Sequence, residues 1–519
     1  MKSLRFAVSY RLLVAVGLAL CCLLPSAAAQ QAGGKLTVAI GVPAVTLAPG
    51  KSIASIVNSI TEGIYEGLVE RDASGAVLPG LATSWSLDAD NVTWTLTLRQ
   101  GVRFHDGTEF SADDVKATFD RILNPAFELP LSSVLKVVSR VEVVDPYTVR
   151  IVTGSPTPDF LNRLAYGVAV IISSDAVEKY GADIDWTPVG TGPYRLESYV
   201  PNESVTLVAF PDYWGGAPLL DRVEFRTVRE PGTRVALLEA GEVDIIVDVP
   251  ATDLPGLKAQ ADKAVLLAPS TRVMHIGVNT QVAPFDNVLV RQALNYAIDQ
   301  DGLVNGVLQG VGQPARSMIS PVVTGFSPVS EYHYDPATAR RLLAEAGYPN
   351  GFSATLWTPE GRYFQDRATA VAVQSMLGDI GVKVDVRVID WATYLEILRR
   401  PVDASETQLY LLGWESGTGD IGYVLDLIFH TSTWPPAGWN TMFYSNPEVD
   451  ALIEAARVTM DPDERQALAT RIQEQIVSDA PWVLLNVTEE TAAMSAKVHG
   501  LELLPGDVYS LKTVWLDKD

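Results

Sequence analysis

Alternating apolar and polar residues predict a half-buried strand early in the chain. The run Val92-Thr-Trp-Thr-Leu-Thr-Leu98 changes character at each position, and Arg99-Gln-Gly101 follows it as a turn. The pattern then becomes helical. Ser111 stands at an N-cap position, and Asp113 and Asp114 lie in the first turn, where carboxylates complement the helix dipole. We therefore expect a strand, a turn and a helix in close succession.

Three later helices are predicted from their start signals and apolar stripes. Each begins with a capping side chain followed by a proline, which fits the first turn of a helix. The three starts are Asp335-Pro336, Asn446-Pro447 and Asp461-Pro462. Residues 382–388 alternate as a strand does. Mixed signals predict an α/β fold, and since the chain shows no repeat and no Pro/Ser-rich linker, we expect more than one chain crossing between its lobes.

The length and composition indicate a large globular protein. Its 519 residues exceed the size at which a single hydrophobic core stops growing, so we expect two or three structural units. Hydrophobic residues make up 47% of the chain and charged residues 19%, with no low-complexity segment. The formal net charge is −23, and the acidic residues are interspersed, which argues against a nucleic-acid partner.

Residues 1–29 have the organisation of a secretory signal peptide. Three basic residues precede an apolar run over residues 12–24, and Ala27 and Ala29 suit cleavage by a signal peptidase. The apolar run is shorter than the ~20 residues needed to span a bilayer. We therefore expect a protein that is exported to the periplasm after the signal is removed.

Both cysteines, Cys21 and Cys22, fall within this signal. A lipoprotein that retains a lipidated cysteine is therefore the alternative, although Leu20 is larger than the residue such a site requires before its cysteine. Cleavage after Ala29 leaves no cysteine in the mature protein. That outcome excludes disulfides, thiolate metal sites and cysteine nucleophiles.

Several motifs in a consistent order resemble the extracytoplasmic solute-binding proteins of peptide and nickel uptake transporters, solute-binding protein family 5. The resemblance covers nearly all of the mature chain. The motifs are Tyr65-Glu-Gly-Leu68, Leu81-Ala-Thr-Ser-Trp85, Leu98-Arg-Gln-Gly-Val-Arg-Phe-His-Asp-Gly107, Ala112-Asp-Asp-Val115, Gly190-Thr-Gly-Pro-Tyr194, Asp212-Tyr-Trp-Gly215, Pro284-Phe-Asp-Asn287, Val290-Arg-Gln-Ala-Leu-Asn-Tyr-Ala-Ile298 and Glu345-Ala-Gly-Tyr-Pro-Asn-Gly351. Trp434-Pro-Pro436 and Asn440-Thr-Met-Phe-Tyr-Ser-Asn446 resemble the glutathione-binding members most closely.

The resemblance implies a two-lobed periplasmic-binding-protein-like fold of type II. Within type II, the resemblance implies the large cluster of binding proteins, whose members have an extra N-terminal subdomain. The ligand crevice lies between the two lobes. Lobe 1 would comprise residues 30–278 and 487–519, with the extra subdomain at about 70–185, and lobe 2 residues 279–486. The chain would cross between lobes near residues 275–281 and 481–487.

The resemblance also implies a mechanism and partners. Ligand closes the lobes because it binds the closed state better, and the closed form docks on the membrane permease subunits of an ABC transporter. We expect a monomer that needs no cofactor and performs no catalysis.

The glycines Gly417, Gly419 and Gly422 have the spacing of a nucleotide-binding turn and follow a strand-like run at residues 408–412. A dinucleotide fold requires an acidic residue about 20 positions later, and position 442 is Met442. Acidic groups within the turn would also repel a pyrophosphate. We therefore reject nucleotide binding.

The resemblance implies a role for this turn. In peptide-binding relatives, an acidic residue that comes soon after a Gly-Trp pair in the sequence binds the ammonium group of the peptide. The matching position here is Gly417, so we expect Asp420, or else Glu415, to supply the anion. A turn cap or a solvated loop group is the alternative for either carboxylate. Trp414 is a candidate ligand contact, with core packing as its alternative.

Arg362 is the candidate partner of a ligand carboxylate by the same resemblance, because a guanidinium binds a carboxylate with two parallel hydrogen bonds. An exposed loop arginine is the alternative, and Arg367 is the fallback partner. Tyr65 and Asn440, which lie in the motifs above, complete the predicted ligand-binding residues.

Metal and catalytic chemistry find little support in the sequence. The five histidines, at positions 105, 275, 333, 430 and 499, are isolated from one another, and we predict no metal site. The motifs G-x-S-x-G, H-E-x-x-H and G-x-x-x-x-G-K-[ST] do not occur.

We predict a receptor for a small peptide, glutathione first and then di- or oligopeptides. A receptor for a nickel chelate or another small solute, or a secreted hydrolase, is the alternative.

Overall fold

The computed structural model describes residues 32–51, 55–127, 129–506 and 508–517. The predicted signal peptide, residues 1–29, lies outside the described residues. Within those ranges, no helix has both the length and the apolar character needed to cross a membrane.

Twenty-one strands occur within the described residues and are numbered in chain order. They are β1 Lys35–Ile40, β2 Val69–Arg71, β3 Val77–Pro79, β4 Ala82–Leu87, β5 Thr93–Leu98, β6 Val138–Asp145, β7 Thr148–Thr153, β8 Tyr194–Val200, β9 Ser204–Ala209, β10 Arg222–Thr227, β11 Ile245–Val247, β12 Lys263–Val278, β13 Gln313–Pro314, β14 Ser353–Pro359, β15 Lys383–Ile389, β16 Leu409–Glu415, β17 Trp482–Ser495, β18 Val498–His499, β19 Glu502–Leu504, β20 Val508–Ser510 and β21 Trp515–Leu516.

The helices alternate with these strands along the chain. The α-helices are Ser55–Glu62, Ala112–Leu123, Phe160–Leu164, Ser174–Tyr180, Pro231–Glu239, Leu254–Lys258, Val288–Tyr296, Gln300–Gly302, Pro336–Glu345, Asp366–Asp379, Trp391–Leu398, Ile421–Val424, Pro447–Ala456 and Pro462–Asp479. Short 3₁₀ segments are Pro125–Phe127, Pro130–Leu135, Gly167–Ala169, Gly181–Asp185, Val402–Ala404 and Thr431–Thr433, and π-helical turns are Leu303–Val307 and Leu425–Phe429.

One large mixed sheet organises the molecule. Its strand order is β15-β14-β16-β12-β17-β11-β1-β10-β9-β8, with β13 added beside β17. The two long strands at its centre, β12 and β17, pair antiparallel, and His275 lies opposite Leu484. Strands β14 to β16 lie on one side of this pair, and β11, β1, β10, β9 and β8 lie on the other. The central pair therefore connects the two halves of the molecule.

The apolar interior falls into separate clusters that follow this division. One cluster draws its buried residues from positions 273 to 487. A second, from positions 68 to 189, fills the space around the four-stranded sheet β4-β5-β7-β6. Two further clusters combine N-terminal strands with residues beyond position 490. The C-terminal end of the chain therefore packs with the N-terminal strands. The lobe limits proposed from the sequence stay a prediction.

The elements that local sequence signals predicted occur at the expected places. The predicted first strand is β5, and the helix Ala112–Leu123 begins with a capping box: Ser111 Oγ accepts from the amide of Asp113, and Asp114 Oδ2 accepts from the amide of Ser111 at 2.9 Å. The helices predicted after Asp335, Asn446 and Asp461 begin there, each with its side-chain cap. These three predictions are confirmed.

Candidate functional site

A cavity of about 590 Å³ lies between the two halves of the molecule. One side is formed by the helix Ser55–Glu62, the segment from Tyr65 to Arg71 and the C-terminal Lys512. The opposite side is formed by Arg362 and the turn from Glu415 to Gly417. Strand β12 contributes Thr271 and Arg272 between them. The volume is typical of a pocket for a small ligand, for which ~300–1,000 Å³ is usual.

Three glutamates, spaced four residues apart, line the first side. Lys512 Nζ lies 2.5 Å from Glu70 Oε1 and 3.5 Å from Glu62 Oε1, which also accepts from Ser510 Oγ at 3.0 Å. Burial raises the pKa of Glu62. Burial also opposes the charged form of Lys512, but the neighbouring carboxylates of Glu62, Glu70 and Glu66 outweigh it and raise the pKa of this lysine. Lys512 is therefore a fixed cation among the acids.

Glu66 is the most enclosed of the three glutamates. Its Oε2 accepts from Thr191 Oγ1 at 2.8 Å and from Trp214 Nε1 at 2.7 Å, and its Oε1 accepts from the Tyr213 hydroxyl at 2.7 Å. Burial raises the pKa of Glu66. A carboxylate held by three uncharged donors keeps a fixed orientation at the cavity surface.

Arginines dominate the opposite side. Arg272 forms an ion pair with Glu415, its partner in the register of β12 and β16. The Arg362 guanidinium lies 5.1 Å from the ring centres of both Tyr363 and Trp391. It makes no ion pair with any residue that the structure describes. Because two aromatic rings hold this guanidinium while its hydrogen-bond donors stay free, it is suited to an anionic ligand.

Three of the predicted ligand-binding residues line this cavity: Tyr65, Arg362 and Glu415. Tyr65 is almost fully buried, and its hydroxyl finds no hydrogen-bond partner among the described residues. Their contact with a ligand stays a prediction. The fallback residue, Arg367, lies outside the lining, where it is exposed and pairs with Glu360 at 3.1 Å.

Asp420 occupies a different position from the one expected. It is fully buried and does not line the cavity. Its Oδ1 accepts from Arg465 Nη2 at 2.6 Å and from the amide of Gly422 at 2.7 Å, while its Oδ2 accepts from Arg465 Nη1 at 2.9 Å and from Asn162 Nδ2 at 3.2 Å. The structure thus gives Asp420 an internal ion pair and a helix cap instead of a place facing the ligand.

Trp414 and Asn440 also lie outside the lining, for packing reasons. Trp414 packs against the large core, with its ring centre 5.8 Å from that of Trp439. Asn440 is fully buried and binds backbone groups: Nδ2 donates to the carbonyls of His430 and Tyr444, and Oδ1 accepts from the amide of Tyr444. Its amide holds a loop together and is not available to a ligand.

The sequence analysis missed several charged residues of the cavity: Glu62, Glu70, Arg71, Arg272 and Lys512. A signal for two of them was present, because Glu62 and Glu70 flank Glu66 of the Tyr65-Glu-Gly-Leu68 motif at a spacing of four. Arg272 and Lys512 have no such local signal. Tertiary contacts alone bring them to the cavity.

Nearly the whole chain is similar to proteins of one known family. The model of the bacterial extracellular solute-binding proteins, family 5 Middle, matches residues 76–436. The glutathione-binding protein GsiB of Pectobacterium atrosepticum is 36% identical over 480 residues, which cover 92% of this chain and 93% of that protein. GsiB of Escherichia coli strain K12 is 34% identical over 502 residues, covering 96% and 97%.

Solved structures show the same likeness. HbpA2 from Haemophilus parasuis superposes with a TM-score of 0.86 at 28% identity, covering 93% of this chain and all of that chain. The periplasmic binding protein DppA from Helicobacter pylori, in complex with the peptide STSA, gives a TM-score of 0.75 at 28% identity, covering 94% and 99%.

Proposed function

This chain belongs to family 5 of the bacterial extracellular solute-binding proteins, and from that premise we propose that it captures a small peptide, glutathione first, for an ABC uptake transporter. The predicted α/β, two-lobed binding-protein fold is confirmed by its structural relatives. Members of such families are receptors, and we propose no catalytic residue for this one.

The observation that supports a peptide ligand is the charged cavity between the two halves of the molecule. It has acidic groups on one side, Glu62 and Glu70, and free guanidinium donors on the other, at Arg362. A small peptide carries an ammonium and at least one carboxylate, so it offers a partner to both sides. A neutral solute such as a sugar would offer no counter-charge to Arg362, which makes no ion pair with any described residue.

Glutathione is the leading candidate because the relatives that cover nearly the whole chain are named glutathione-binding proteins. Other di- and oligopeptides come next, since solved relatives hold peptides. A receptor for a nickel chelate stays the second candidate, as the resemblance implies.

The remaining parts of the proposal concern location and partners. We propose that the signal peptide at residues 1–29 is cleaved and that the mature, monomeric protein works in the periplasm. The closed, liganded form would dock on the permease subunits, because ligand shifts the protein towards the state that the permease recognises.

A thermal-shift screen tests the proposed function. The mature protein is heated with glutathione, glutathione disulfide, di- and tripeptides, sugars and nickel chelates in separate wells. A bound ligand stabilises the folded state by RT ln(1 + [L]/Kd), about 2.7 kcal/mol at a hundred times Kd. We expect a saturable rise in melting temperature with glutathione or another small peptide. If no peptide shifts the melting temperature, the peptide proposal fails, and a shift with nickel chelates alone favours the second candidate.

A further inference from the structure

We infer that the predicted extra subdomain binds the opposite half of the molecule directly, and that this contact keeps part of the ligand-free protein closed. Three residues of the subdomain, Arg71, Gly75 and Asn162, reach the other half. They meet Val322 and the turn from Thr418 to Asp420. We call these contacts the clasp. The inference concerns closure itself and holds whichever small ligand the cavity takes.

Two hydrogen bonds of the clasp cross between the halves. Asn162 Nδ2 donates to Asp420 Oδ2 at 3.2 Å. Arg71 donates to the carbonyl of Thr418, and on its own side it donates to the carbonyl of Asn162 at 2.6 Å. The subdomain thus holds Arg71 in place for the contact across the gap. Asn162 and Asp420 are both buried, so water competes little for their bond.

The backbones of the two halves also meet at the clasp. Gly75 has a positive φ of 86°, and a Cβ built there would collide with the carbonyl oxygen of Val322. The surface that receives Gly75 is continuous with the turn after β16, because the amide of Thr324 donates to the carbonyl of Gly419 at 2.9 Å. Glycine at position 75 therefore permits a contact that a larger residue would hold apart.

The ion pairs beside the clasp each lie within one half. Arg163 pairs with Asp159 at 2.8 Å in the subdomain, and Arg465 binds Asp420 through both terminal nitrogens in the other half. Opening the clasp therefore separates neither of these ion pairs. It breaks the two crossing hydrogen bonds, each of which changes an equilibrium by about 2- to 10-fold. Such a contact favours closure without making it permanent.

A second, smaller cavity shows that the contact surface is incompletely packed. It has a volume of about 150 Å³ and lies between Pro156 and Asp159 of the subdomain and Leu425 and Arg465 of the other half. Among apolar side chains, Met460 packs across the gap against the core around the small sheet. Permanent interiors contain few voids of this size. Surfaces with few contacts and a void between them are typical of halves that separate and rejoin.

Closure before binding would raise the affinity for any ligand that fits the closed cavity. When only a fraction of the ligand-free molecules is closed, the apparent Kd equals the intrinsic Kd divided by that fraction. Gly75, Asn162 and Asp420 do not line the cavity. The clasp therefore sets the closed fraction through residues that do not touch the ligand.

Distances between two spin labels test the inference on the ligand-free protein. The chain without residues 1–29 contains no cysteine, so Ala89→Cys and Ala451→Cys, at exposed positions on the two halves, provide two unique labelling sites. Pulsed electron paramagnetic resonance then records the distribution of distances. We expect a closed population, at the separation that these positions have in this structure, besides a longer, open one. Absence of the closed population would overturn the inference, and because no ligand is added, the result is independent of the proposed function.

Variants in the labelled protein measure the contribution of the clasp. Gly75→Ala should lower the ratio of closed to open molecules at least about 3-fold, because its methyl group meets the opposite half only in the closed form. Asn162→Ala should lower the ratio about 2- to 10-fold, the contribution of one hydrogen bond.

Gly107→Ala is the matched control for Gly75→Ala. Gly107 has a φ of 90°, and a Cβ there would meet no atom of the described residues within 4 Å. The substitution therefore brings similar backbone strain without a contact, and the ratio should stay at the wild-type value. If Gly75→Ala and Asn162→Ala are folded by circular dichroism and both keep the wild-type ratio, the clasp does not hold the protein closed, and the inference is wrong.

Discussion

At the scale of single residues, Arg362 shows how surroundings decide what an arginine can do. Arg362 and Arg367 lie five positions apart, yet only the former lines the cavity. Both residues are exposed, but the Arg362 guanidinium lies against Tyr363 and Trp391, whereas Arg367 is paired with Glu360. An exposed ion pair of the second kind contributes little, about 0–1 kcal/mol. A guanidinium held by aromatic rings beside a cavity is ready to bind an anion.

We predict that Arg362→Ala weakens binding of glutathione by about 10- to 150-fold, because a hydrogen-bonded contact to a charged group contributes about 1.5–3 kcal/mol. The measurement is the dissociation constant from calorimetry. Glutathione with both carboxylates amidated should lose far less affinity on this substitution, since it offers no carboxylate for Arg362 to bind.

Arg367→Ala is the matched control for this prediction. It removes the same kind of side chain from the first turn of the following helix, Asp366–Asp379, outside the cavity, so affinity should stay within about 2-fold of wild type. A larger loss in Arg367→Ala than in Arg362→Ala would exchange the roles of the two arginines.

At the scale of elements, the turn between β16 and the helix Ile421–Val424 contacts the short helix Phe160–Leu164 across the molecule. Asn162 Nδ2 donates to Asp420 Oδ2 at 3.2 Å, and Arg71 donates to the carbonyl of Thr418. Gly419 has a positive φ of 65°, and a Cβ built there would lie 2.3 Å from Arg71 Nη1. The turn is therefore shaped for a close approach of Arg71, and these bonds join the two sides of the cavity.

We predict that Asn162→Ala weakens glutathione binding by about 2- to 10-fold, although Asn162 does not line the cavity. The physical reason is that the bond to Asp420 stabilises the closed arrangement, and one hydrogen bond contributes about 0.5–1.5 kcal/mol. Calorimetry gives the affinity, and circular dichroism checks that the variant is folded.

Asn124→Ala supplies the comparison for this variant. Asn124 is an exposed asparagine that bonds only locally, to the amide of Ala126 among the described residues, so its loss should leave affinity unchanged. If Asn162→Ala binds glutathione as wild type does, the contact between the two elements does not contribute to closure.

At the scale of the whole molecule, the central strands β12 and β17 connect both halves, and His275 lies buried between them. It stacks on Trp482 with ring centres 3.5 Å apart, and its Nδ1–H donates to the carbonyl of Val273 at 3.3 Å. Burial lowers the pKa of His275 to about 3. The fold therefore holds this histidine in its neutral form.

We predict that this burial makes the protein less stable in mild acid. The pKa of His275 is lower in the folded than in the unfolded state, where it is about 6.5. Its contribution to stability is complete above that value and is lost as pH falls towards about 3, because the unfolded state takes up the proton first. Between about pH 7 and about pH 5, the loss due to His275 is about 2 kcal/mol.

Urea unfolding of wild type and His275→Gln at both pH values measures this contribution. Glu62 and Glu66, whose pKa values burial raises, act in the opposite direction, so the difference between the two proteins is the informative quantity. The variant should lose about 2 kcal/mol less than wild type on acidification. His333→Gln, at an exposed histidine, should behave as wild type does. Identical losses in wild type and His275→Gln would contradict the prediction.

The sequence by itself determined the local elements and the family. Helix starts such as Asp335-Pro336 and the capping box at Ser111 depend on bonds within one turn, so neighbouring residues specify them. The α/β class follows because some segments repeat hydrophobic residues with the period of a strand and others with the period of a helix. The ordered motifs identify the two-lobed fold. Arg362, Glu415 and Tyr65 were also found by resemblance to motifs, and they do line the cavity.

Only the tertiary structure decided which acids face the cavity. Asp420 and Arg465 are 45 positions apart in sequence, and Lys512 and Glu70 are 442 apart. Nothing in the turn around Asp420 indicates that a distant arginine neutralises it, and nothing near Glu70 indicates a partner at the C-terminus. A charged side chain that is buried needs an oppositely charged partner. The tertiary fold determines which residue is that partner, because any residue of opposite charge within a few ångströms can pair with it. The chemistry of the site is therefore set by long-range contacts that local sequence does not encode.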